Sequence, residues 1–494
     1  AAQLVGCDGH ESLEVVRITW PNGVVQTSLD VAPTDQPFLD APRGNLEQSE
    51  GLVGSCPFLY AWNGETYTFI SDVLGGTPLG LPMAPGMLVP PDHDEYVLVR
   101  GDQLVPRDGV LEVQFTEELR EVTYLDRIRL DVVDHPAGTE VHPTERFSFP
   151  PFPAAHTHTV RDPLPPLAAT GSDGRDWTAE LSTLDDVHAE PFQPLESQLL
   201  GLATPHWIEL SFDPERVRDA DKLRLLFTGW FYWTDASVNM ASARTPDVEF
   251  VPPILQVPGP DGEWVATGPP VGFPAGKSKT MVIDVSDVLR REDPRVRVFT
   301  TLRLYWDCIR LAVDADDAPL RVTSLEPTGG RLWPRGFSRR IDTGRSDLPE
   351  RFEWDALTEH RSWNQHPGLY TRYGETLPLL TDIDDRFAIL GSGDALTVRF
   401  DATALPPLEP GWTRDYLVFL DGWAKDRDPN TVEALEVEPL PFHGMSAYPY
   451  GAGESFPDTP EHRAWRAEWN TRPARAWIPP LSPQREAEWA LDGP

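Results

Sequence analysis

Two short segments carry oxygen-bearing side chains at alternate positions, a pattern typical of loops that bind calcium. One is Asp426-Arg427-Asp428-Pro429-Asn430, and the other places Asp235, Ser237 and Asn239 at the same spacing. Calcium needs several oxygen ligands at about 2.3–2.6 Å, which such a loop can supply. The sequence therefore predicts a calcium site whose ligands are drawn from Asp426, Asp428, Asn430, Asp235 and Asn239. The alternative is a pair of turns in which these side chains cap their own backbone.

Histidines are concentrated near acidic residues in one proline-rich part of the chain, at His135, His142, His156 and His158. On a strand, the side chains of His156 and His158 would lie on the same face. Two imidazoles in this arrangement are compatible with zinc or another transition metal, although two ligands alone specify no particular ion. The spacing fixes no third ligand.

Glycoside hydrolysis requires two carboxylates held about 5–10 Å apart, and Asp307, Asp421 and Asp426 are candidates. Tryptophans that could stack on sugar rings are Trp62, Trp230, Trp233, Trp264, Trp306, Trp412 and Trp423. Most of them lie in alternating strands or beside turns, which favours packing in a core. The segment 272–278 resembles a phosphate-binding loop but has Val271 where the first glycine belongs. We predict no catalytic residues.

The charge of the chain excludes several classes of partner. Its 494 residues carry a formal net charge of −36, and the only lysines are Lys222, Lys277, Lys279 and Lys425. So acidic a surface repels nucleic acid and anionic lipid. No apolar run approaches the ~18 residues of a membrane span. Three cysteines, Cys7, Cys56 and Cys308, allow one disulfide at most and are too few for a disulfide framework.

A passage of just over 30 residues occurs twice and indicates the elements that position these side chains. In each copy an alternating strand ends in Phe-Asp, a polar connection follows, and an apolar strand leads into Gly-Trp and an Asp/Asn-rich loop. The copies run from 208 to 239 and from 396 to 430. Repetition on this scale indicates a duplicated supersecondary unit. Frequent proline and glycine disfavour long helices.

We therefore predict an all-β chain of serial β-sandwich-like domains with Pro-rich linkers and a short C-terminal helix. The predicted parts are a β-hairpin over 1–32, a linker over 33–55, a β domain over 56–155, and two sandwiches over 167–325 and 326–494, one for each Gly-Trp copy. Thr459 as N-cap and Pro460 in the first turn mark the helix.

The segment 16–26, with Trp20-Pro21-Asn22-Gly23 at its centre, resembles the end of the ASPIC/UnbV domain. That domain follows FG-GAP or VCBS propeller repeats in cartilage-acidic-protein-like proteins. The remainder is similar to the long C-terminal region of some bacterial members, through the motifs Gly54-Ser55-Cys56-Pro57-Phe58, Tyr305-Trp306-Asp307, Gly422-Trp423-Ala424-Lys425-Asp426 and Pro441-Phe442-His443-Gly444-Met445-Ser446. The resemblance implies an extracellular, cell-surface or periplasmic protein, preceded by a calcium-binding propeller, with no known catalytic activity.

These observations lead us to expect a non-enzymatic, exported acidic protein with a binding or structural role in surface assembly or protein–protein contact. Calcium is the expected ion, and the expected partner is a protein, such as a β-propeller domain, or a second copy of the chain. The alternatives are a carbohydrate-binding or carbohydrate-active protein, recognisable by a cleft with tryptophans and two carboxylates, and an accessory subunit of a cell-envelope complex. No nucleic acid and no membrane insertion are expected.

Overall fold

The computed structural model describes residues 10, 12–19, 25–31, 57–76, 78–195, 199–341, 343–345, 348–349, 351–358 and 365–475. The strands, in chain order, are β1 Leu13–Thr19, β2 Val25–Val31, β3 Phe58–Trp62, β4 Tyr67–Asp72, β5 Pro82–Ala84, β6 Met87–Leu88, β7 Asp94–Val99, β8 Val110–Thr116, β9 Val122–Pro136, β10 Thr139–Pro143, β11 Thr157–Arg161, β12 Ala168–Gly171, β13 Leu202–Ser211, β14 Leu223–Phe231, β15 Ile254–Pro258, β16 Trp264–Ala266, β17 Lys279–Asp284, β18 Arg295–Leu302, β19 Leu304–Val313, β20 Arg321–Leu325, β21 Pro327–Pro334, β22 Phe337–Ile341, β23 Arg351–Thr358, β24 Gly368–Tyr370, β25 Gly374–Glu375, β26 Ala388–Gly391, β27 Asp394–Asp401, β28 Trp412–Lys425 and β29 Arg472–Ala474. The helices are α1 Thr178–Ser182, α2 Pro214–Val217, α3 Ala236–Ser242 and α4 Pro460–Glu468.

The prediction of an all-β fold with several sandwich-like parts is confirmed, as is the short C-terminal helix. Helix α4 begins after Thr459, whose side chain accepts a hydrogen bond from the backbone N–H of His462, and Pro460 occupies its first turn. A cap of this kind satisfies one of the N–H groups that a helix leaves unpaired at its start. None of the described helices is long and apolar enough to cross a membrane.

Two β-sandwiches make up most of the described chain. The central unit, formed by β12–β19, has one sheet in the order β12-β13-β18-β15-β16 and another in the order β17-β14-β19. The outer unit, formed by β3–β9 and β20–β28, has one sheet containing β21-β27-β8-β3-β4 and another containing β7-β28-β9. Side chains on the inner faces of each sheet pair form a separate apolar core. The central unit is thus inserted into the chain of the outer unit between β9 and β20.

This arrangement differs from the predicted serial order, because strands from the predicted blocks 56–155 and 326–494 share both sheets of the outer unit. Strand β27 pairs with β8, and β28 pairs with both β7 and β9. Alternating apolar residues identify a strand and its buried face, but they do not identify the strand beside it. The hairpin predicted over 1–32 corresponds to the antiparallel pair β1–β2, whereas its Trp20 to Gly23 turn and the linker 33–55 lie outside the described residues.

The two units have the same strand neighbours in a circularly permuted chain order. The strands β12 to β19 of the central unit, taken in chain order, each have an equivalent with the same sheet neighbours in the outer unit. These equivalents are, in the same order, β21, β27, β28, β3, β4, β7, β8 and β9. The hairpins β15–β16 and β3–β4 correspond, and so do the Gly-Trp strands β14 and β28. The repeat in the sequence therefore belongs to a duplication of the whole sandwich.

Candidate metal centre

Each Gly-Trp strand has a β-bulge at its glycine. The bulge leaves one aspartate of the neighbouring strand without a residue opposite it. Between β28 and β9 the register shifts at Asp421/Gly422, so that Asp126 has no residue opposite it. Between β14 and β19 it shifts at Thr228/Gly229, and Asp307 is the unopposed residue. A Cβ on Gly422 would overlap the carbonyl oxygen of the facing strand, which explains the need for glycine at this bulge.

In both units, the unopposed aspartate accepts hydrogen bonds from two consecutive backbone N–H groups. Asp126 Oδ2 accepts hydrogen bonds from the backbone N–H groups of Asp384 and Asp385, both at 2.9 Å. Asp307 Oδ1 accepts from Asp185 and Asp186 at 3.0 and 3.2 Å. Asp385 and Asp186 also share a positive φ, at 62° and 63°.

In the outer unit, two histidines join this bulge. Nδ1 of His93, which precedes β7, lies 2.9 Å from Asp421 Oδ2. Nε2 of His443 lies 2.9 Å from Asp421 Oδ1. The His443 ring packs against Trp423, with 4.7 Å between ring centroids. The central unit has Thr228 where the outer unit has Asp421, and no comparable cluster of metal-binding side chains is found around Thr228 among the described residues.

The second ring nitrogen of His443 contacts the carboxylate of Asp385. Its Nδ1 lies 2.7 Å from Asp385 Oδ1, and this oxygen also accepts the backbone N–H of His443 at 2.9 Å. A carboxylate behind an imidazole fixes the ring's orientation and raises its basicity, as second-shell carboxylates do for metal-binding histidines. Asp385 is therefore placed to orient the ring, and His443 Nε2 faces His93 and Asp421.

We call His93, Asp126, Asp385, Asp421 and His443 the His–Asp cluster. Asp126 and Asp421 are fully buried, whereas the side chains of His93 and His443 are 45% and 22% exposed. Asp126 Oδ1 has no hydrogen-bond partner among the described residues. The His93–Asp421–His443 and Asp126–Asp385–His443 groups each bring their ligand atoms within 4.8 Å of one another. The cluster thus offers a cation two imidazoles and buried carboxylates.

Electrostatic effects in the cluster follow from burial and close pairing. Burial raises the pKa of Asp126 to about 8. Burial alone would lower the pKa of His443, but its bonds to Asp385 and Asp421 outweigh this effect and raise the pKa to about 10. Burial would raise the pKa of Asp421, and the bonds to His443 and His93 reverse this, so the pKa is lowered. A metal at Nε2 of His443 therefore has to displace a proton.

The residues predicted to bind calcium form two loops that meet at one point. Asp428 accepts a hydrogen bond from the Ser237 backbone N–H at 3.2 Å, and Asn430 donates one to Ser237 Oγ at 2.8 Å. Asp235 instead caps α3, and Asn239 donates to the carbonyl of Pro82.

Within the loop 426–430, the carboxylate oxygens of Asp426 accept hydrogen bonds from the Asp428 backbone N–H and from Thr431 Oγ1. Asp428 in turn accepts from the backbone N–H of Asn430 at 2.8 Å. These are the bonds expected of turns that cap their own backbone. The calcium site remains a prediction.

The histidines singled out in the sequence separate into three environments. His135 Nε2 lies 3.2 Å from Asp415, and His142 Nε2 lies 3.1 Å from Glu140, both inside the protein. His156 and His158 do lie side by side, with 4.6 Å between ring centroids, and Asp316 approaches both.

The tryptophans considered for sugar stacking are mostly covered. Trp230, Trp306 and Trp423 are 0–2% exposed. The rings of Trp62, Trp264 and Trp412 carry the guanidinium groups of Arg107, Arg297 and Arg321, which lie 4.1–5.9 Å from the ring centroids. Cys308 is a buried free thiol.

Asp421 and the motif containing His443 stand out in the sequence, but nothing in the sequence connects them with His93, Asp126 or Asp385. A usable signal lay in the repeat itself, because the residue before Gly-Trp is Thr228 in one copy and Asp421 in the other. Comparison with models of known protein families gives no match, and a search of curated proteins finds no similar sequence.

Proposed function

We propose that this chain is a non-enzymatic, exported binding and structural protein whose outer unit is stabilised by a divalent transition-metal ion held by His93, Asp421 and His443. The observation that carries the proposal is the approach of His93 Nδ1 and His443 Nε2 to the two oxygens of one buried carboxylate. Two imidazoles and a carboxylate suit zinc and its neighbours in the first transition row better than calcium, which prefers oxygen ligands alone.

The cluster joins parts of the chain that are far apart in sequence. His93 leads into β7, Asp421 belongs to β28, and His443 lies in the segment before α4. An ion that binds these groups only when they are folded together stabilises the native state by mass action. This gives the metal a structural role in the outer unit.

Three protein ligands leave one position of a tetrahedral ion for water or for a group from another molecule. His93, with 45% of its side chain exposed, places the ion near the surface. A carboxylate or imidazole of a partner protein is the chemistry that would fill this position. This supports the expected role in protein–protein contact. The net charge of −36 also disfavours nucleic acid as the partner.

The test is metal binding by the purified chain after chelation and dialysis. Zn²⁺, Mn²⁺ and Ca²⁺ are titrated separately by calorimetry, with elemental analysis of the metal retained after gel filtration. We expect tight retention of zinc, and the loss of one zinc equivalent in His93→Ala, which removes a partly exposed ligand and leaves the buried carboxylates in place.

The central unit supplies the matched control. His188 follows the corresponding Asp185–Asp186 turn and lies near Trp230, with 6.3 Å between ring centroids. His188→Ala should retain zinc like the unmodified chain. Equal zinc retention in His93→Ala and the unmodified chain would contradict the proposal, as would tight binding of calcium alone.

A further inference from the structure

A second group of metal-binding side chains lies where the chain enters and leaves the central unit. His156 and His158 belong to the segment that leads through β11 toward β12, and Asp316 belongs to the segment between β19 and β20. The backbone N–H of Asp316 donates to the carbonyl of Thr159 at 2.8 Å, so the two segments are already joined. The group is in a different part of the fold from the His–Asp cluster.

The distances from Asp316 to the two histidines are close to those between two ligands of one cation. His158 Nδ1 lies 3.1 Å from Asp316 Oδ1, and His156 Nε2 lies 3.7 Å from the same oxygen. A tetrahedral ion with bonds of about 2.0–2.1 Å separates its ligand atoms by about 3.4 Å. The three ligand atoms lie within 4.8 Å of one another. Asp316 thus provides the third ligand that sequence spacing could not identify.

The side chains behind the ligands hold them in place. The Nε2 atom of His158 lies 3.0 Å from Thr144 Oγ1, which fixes the ring with Nδ1 toward Asp316. Asp316 Oδ1 accepts the backbone N–H of Thr159 at 3.1 Å. Partners of this kind orient metal ligands in established sites. His158 and Asp316 are 9% and 13% exposed, whereas His156 is 55% exposed and leaves the site open to solvent.

We propose that His156, His158 and Asp316 form a second site for a late first-row divalent cation, independent of the His–Asp cluster. Arg224 limits its affinity, because Nε of Arg224 donates to Asp316 Oδ2 at 3.0 Å and supplies a competing positive charge. The same guanidinium also binds Asp284, so it is shared between two carboxylates. The second site therefore binds more weakly than the first, and an ion there clamps the entry and exit segments of the central unit.

The probe is Cu²⁺, the strongest binder among these divalent ions at sites of this type. His93→Ala serves as the starting chain, because it removes a ligand of the other site and keeps this one intact. We expect it to bind one Cu²⁺ whose electron paramagnetic resonance spectrum shows nitrogen ligands. Adding His156→Ala, a change at a largely exposed side chain, should weaken Cu²⁺ binding at least tenfold.

A matched control addresses copper binding to an imidazole elsewhere in the chain. His462, on α4, has Thr459 Oγ1 as a neighbour at 2.9 Å and lies in none of the metal-binding groups of the described residues. Adding His462→Ala to His93→Ala should leave copper affinity and spectrum unchanged. The same affinity and spectrum in the His156→Ala and His462→Ala chains would overturn the second site. Zinc retention by the unmodified chain is measured separately, so failure of either site is recognised independently.

Discussion

Replacing Asp421 by threonine tests the metal centre with a residue that the fold already accepts at the corresponding position. Thr228 stands there in the central unit, immediately before its own Gly-Trp. Asp421→Thr removes the carboxylate that faces both imidazoles and leaves the bulge, Asp126 and the Asp384–Asp385 turn in place. The change therefore removes a ligand without introducing a foreign backbone requirement.

The expected magnitude follows from linkage between binding and folding. At a free zinc concentration of about 100 times Kd, the ion stabilises the native state by about 2.7 kcal/mol. Loss of an outer-shell partner alone weakens metal binding about 10–100-fold, so we take a 100-fold loss for a direct ligand. The same zinc concentration then contributes only about 0.4 kcal/mol. The zinc-induced rise in Tm should be smaller by about 5–9 °C for a unit of this size.

The assay is thermal unfolding of each chain in zinc and in EDTA, and the quantity compared is the difference between the two. This difference cancels any cost that the substitution has without metal. Thr228→Val is the control, because it alters the same position of the central unit and removes a 2.8 Å hydrogen bond with Thr280. It should lower Tm equally in zinc and EDTA. An undiminished zinc-induced rise in Asp421→Thr would refute the assignment.

Three further predictions concern the fold. Gly422→Ala should destabilise the protein by about 3 kcal/mol or more, because φ is +155° and the new Cβ would overlap a backbone carbonyl. Denaturant unfolding measures this change in the free energy of unfolding, and a loss of less than about 1 kcal/mol would mean that the bulge adjusts freely. Lys279→Met should cost about 3–5 kcal/mol by leaving Glu95 buried without its cation, and the double variant with Glu95→Leu should recover much of the loss in the same assay. Burial lowers the pKa of His206 to about 4, so the unfolded chain binds this proton at a higher pH than the folded protein does. The free energy of unfolding should therefore fall by about 3 kcal/mol between pH 6.5 and 4, and His206→Gln should remove this loss. Parallel curves of stability against pH for the two chains would contradict this.

Local features of the fold could be predicted from the sequence because they depend on neighbouring residues. Alternation identified strands such as β8 and β27, and Thr459 with Pro460 identified the start of α4. The pairing of β27 with β8 could not be predicted, since residues nearly 300 positions apart become neighbours only through the fit of their faces. The permuted order of the two sandwiches depends on such pairings and was equally hidden.

The proposed metal centre is harder to predict than the fold because each candidate ligand comes from a different segment. Asp421 was one carboxylate among many, and in so acidic a chain abundance removes the information from any single one. Its importance depends on a bulge that re-aims the chain beside Asp126, and register irregularities of this kind have no simple sequence signal. The proximity of His156 and His158 was predictable because strand geometry alone places them on one face.

The two bulges differ in the residue that lies next to the glycine, which helps to account for the His–Asp cluster being found in the outer unit among the described residues. In the central unit, Gly229 pairs with Lys279 at the start of β17; in the outer unit, Gly422 donates to the carbonyl of His93 just before β7. The same backbone position is thus a lysine in one copy and a histidine in the other. Lys279 directs its charge to Glu95 of the outer unit and helps to join the two sandwiches. The proposed metal binding in the outer unit and this inter-unit ion pair are therefore alternative uses of one position in the sandwich.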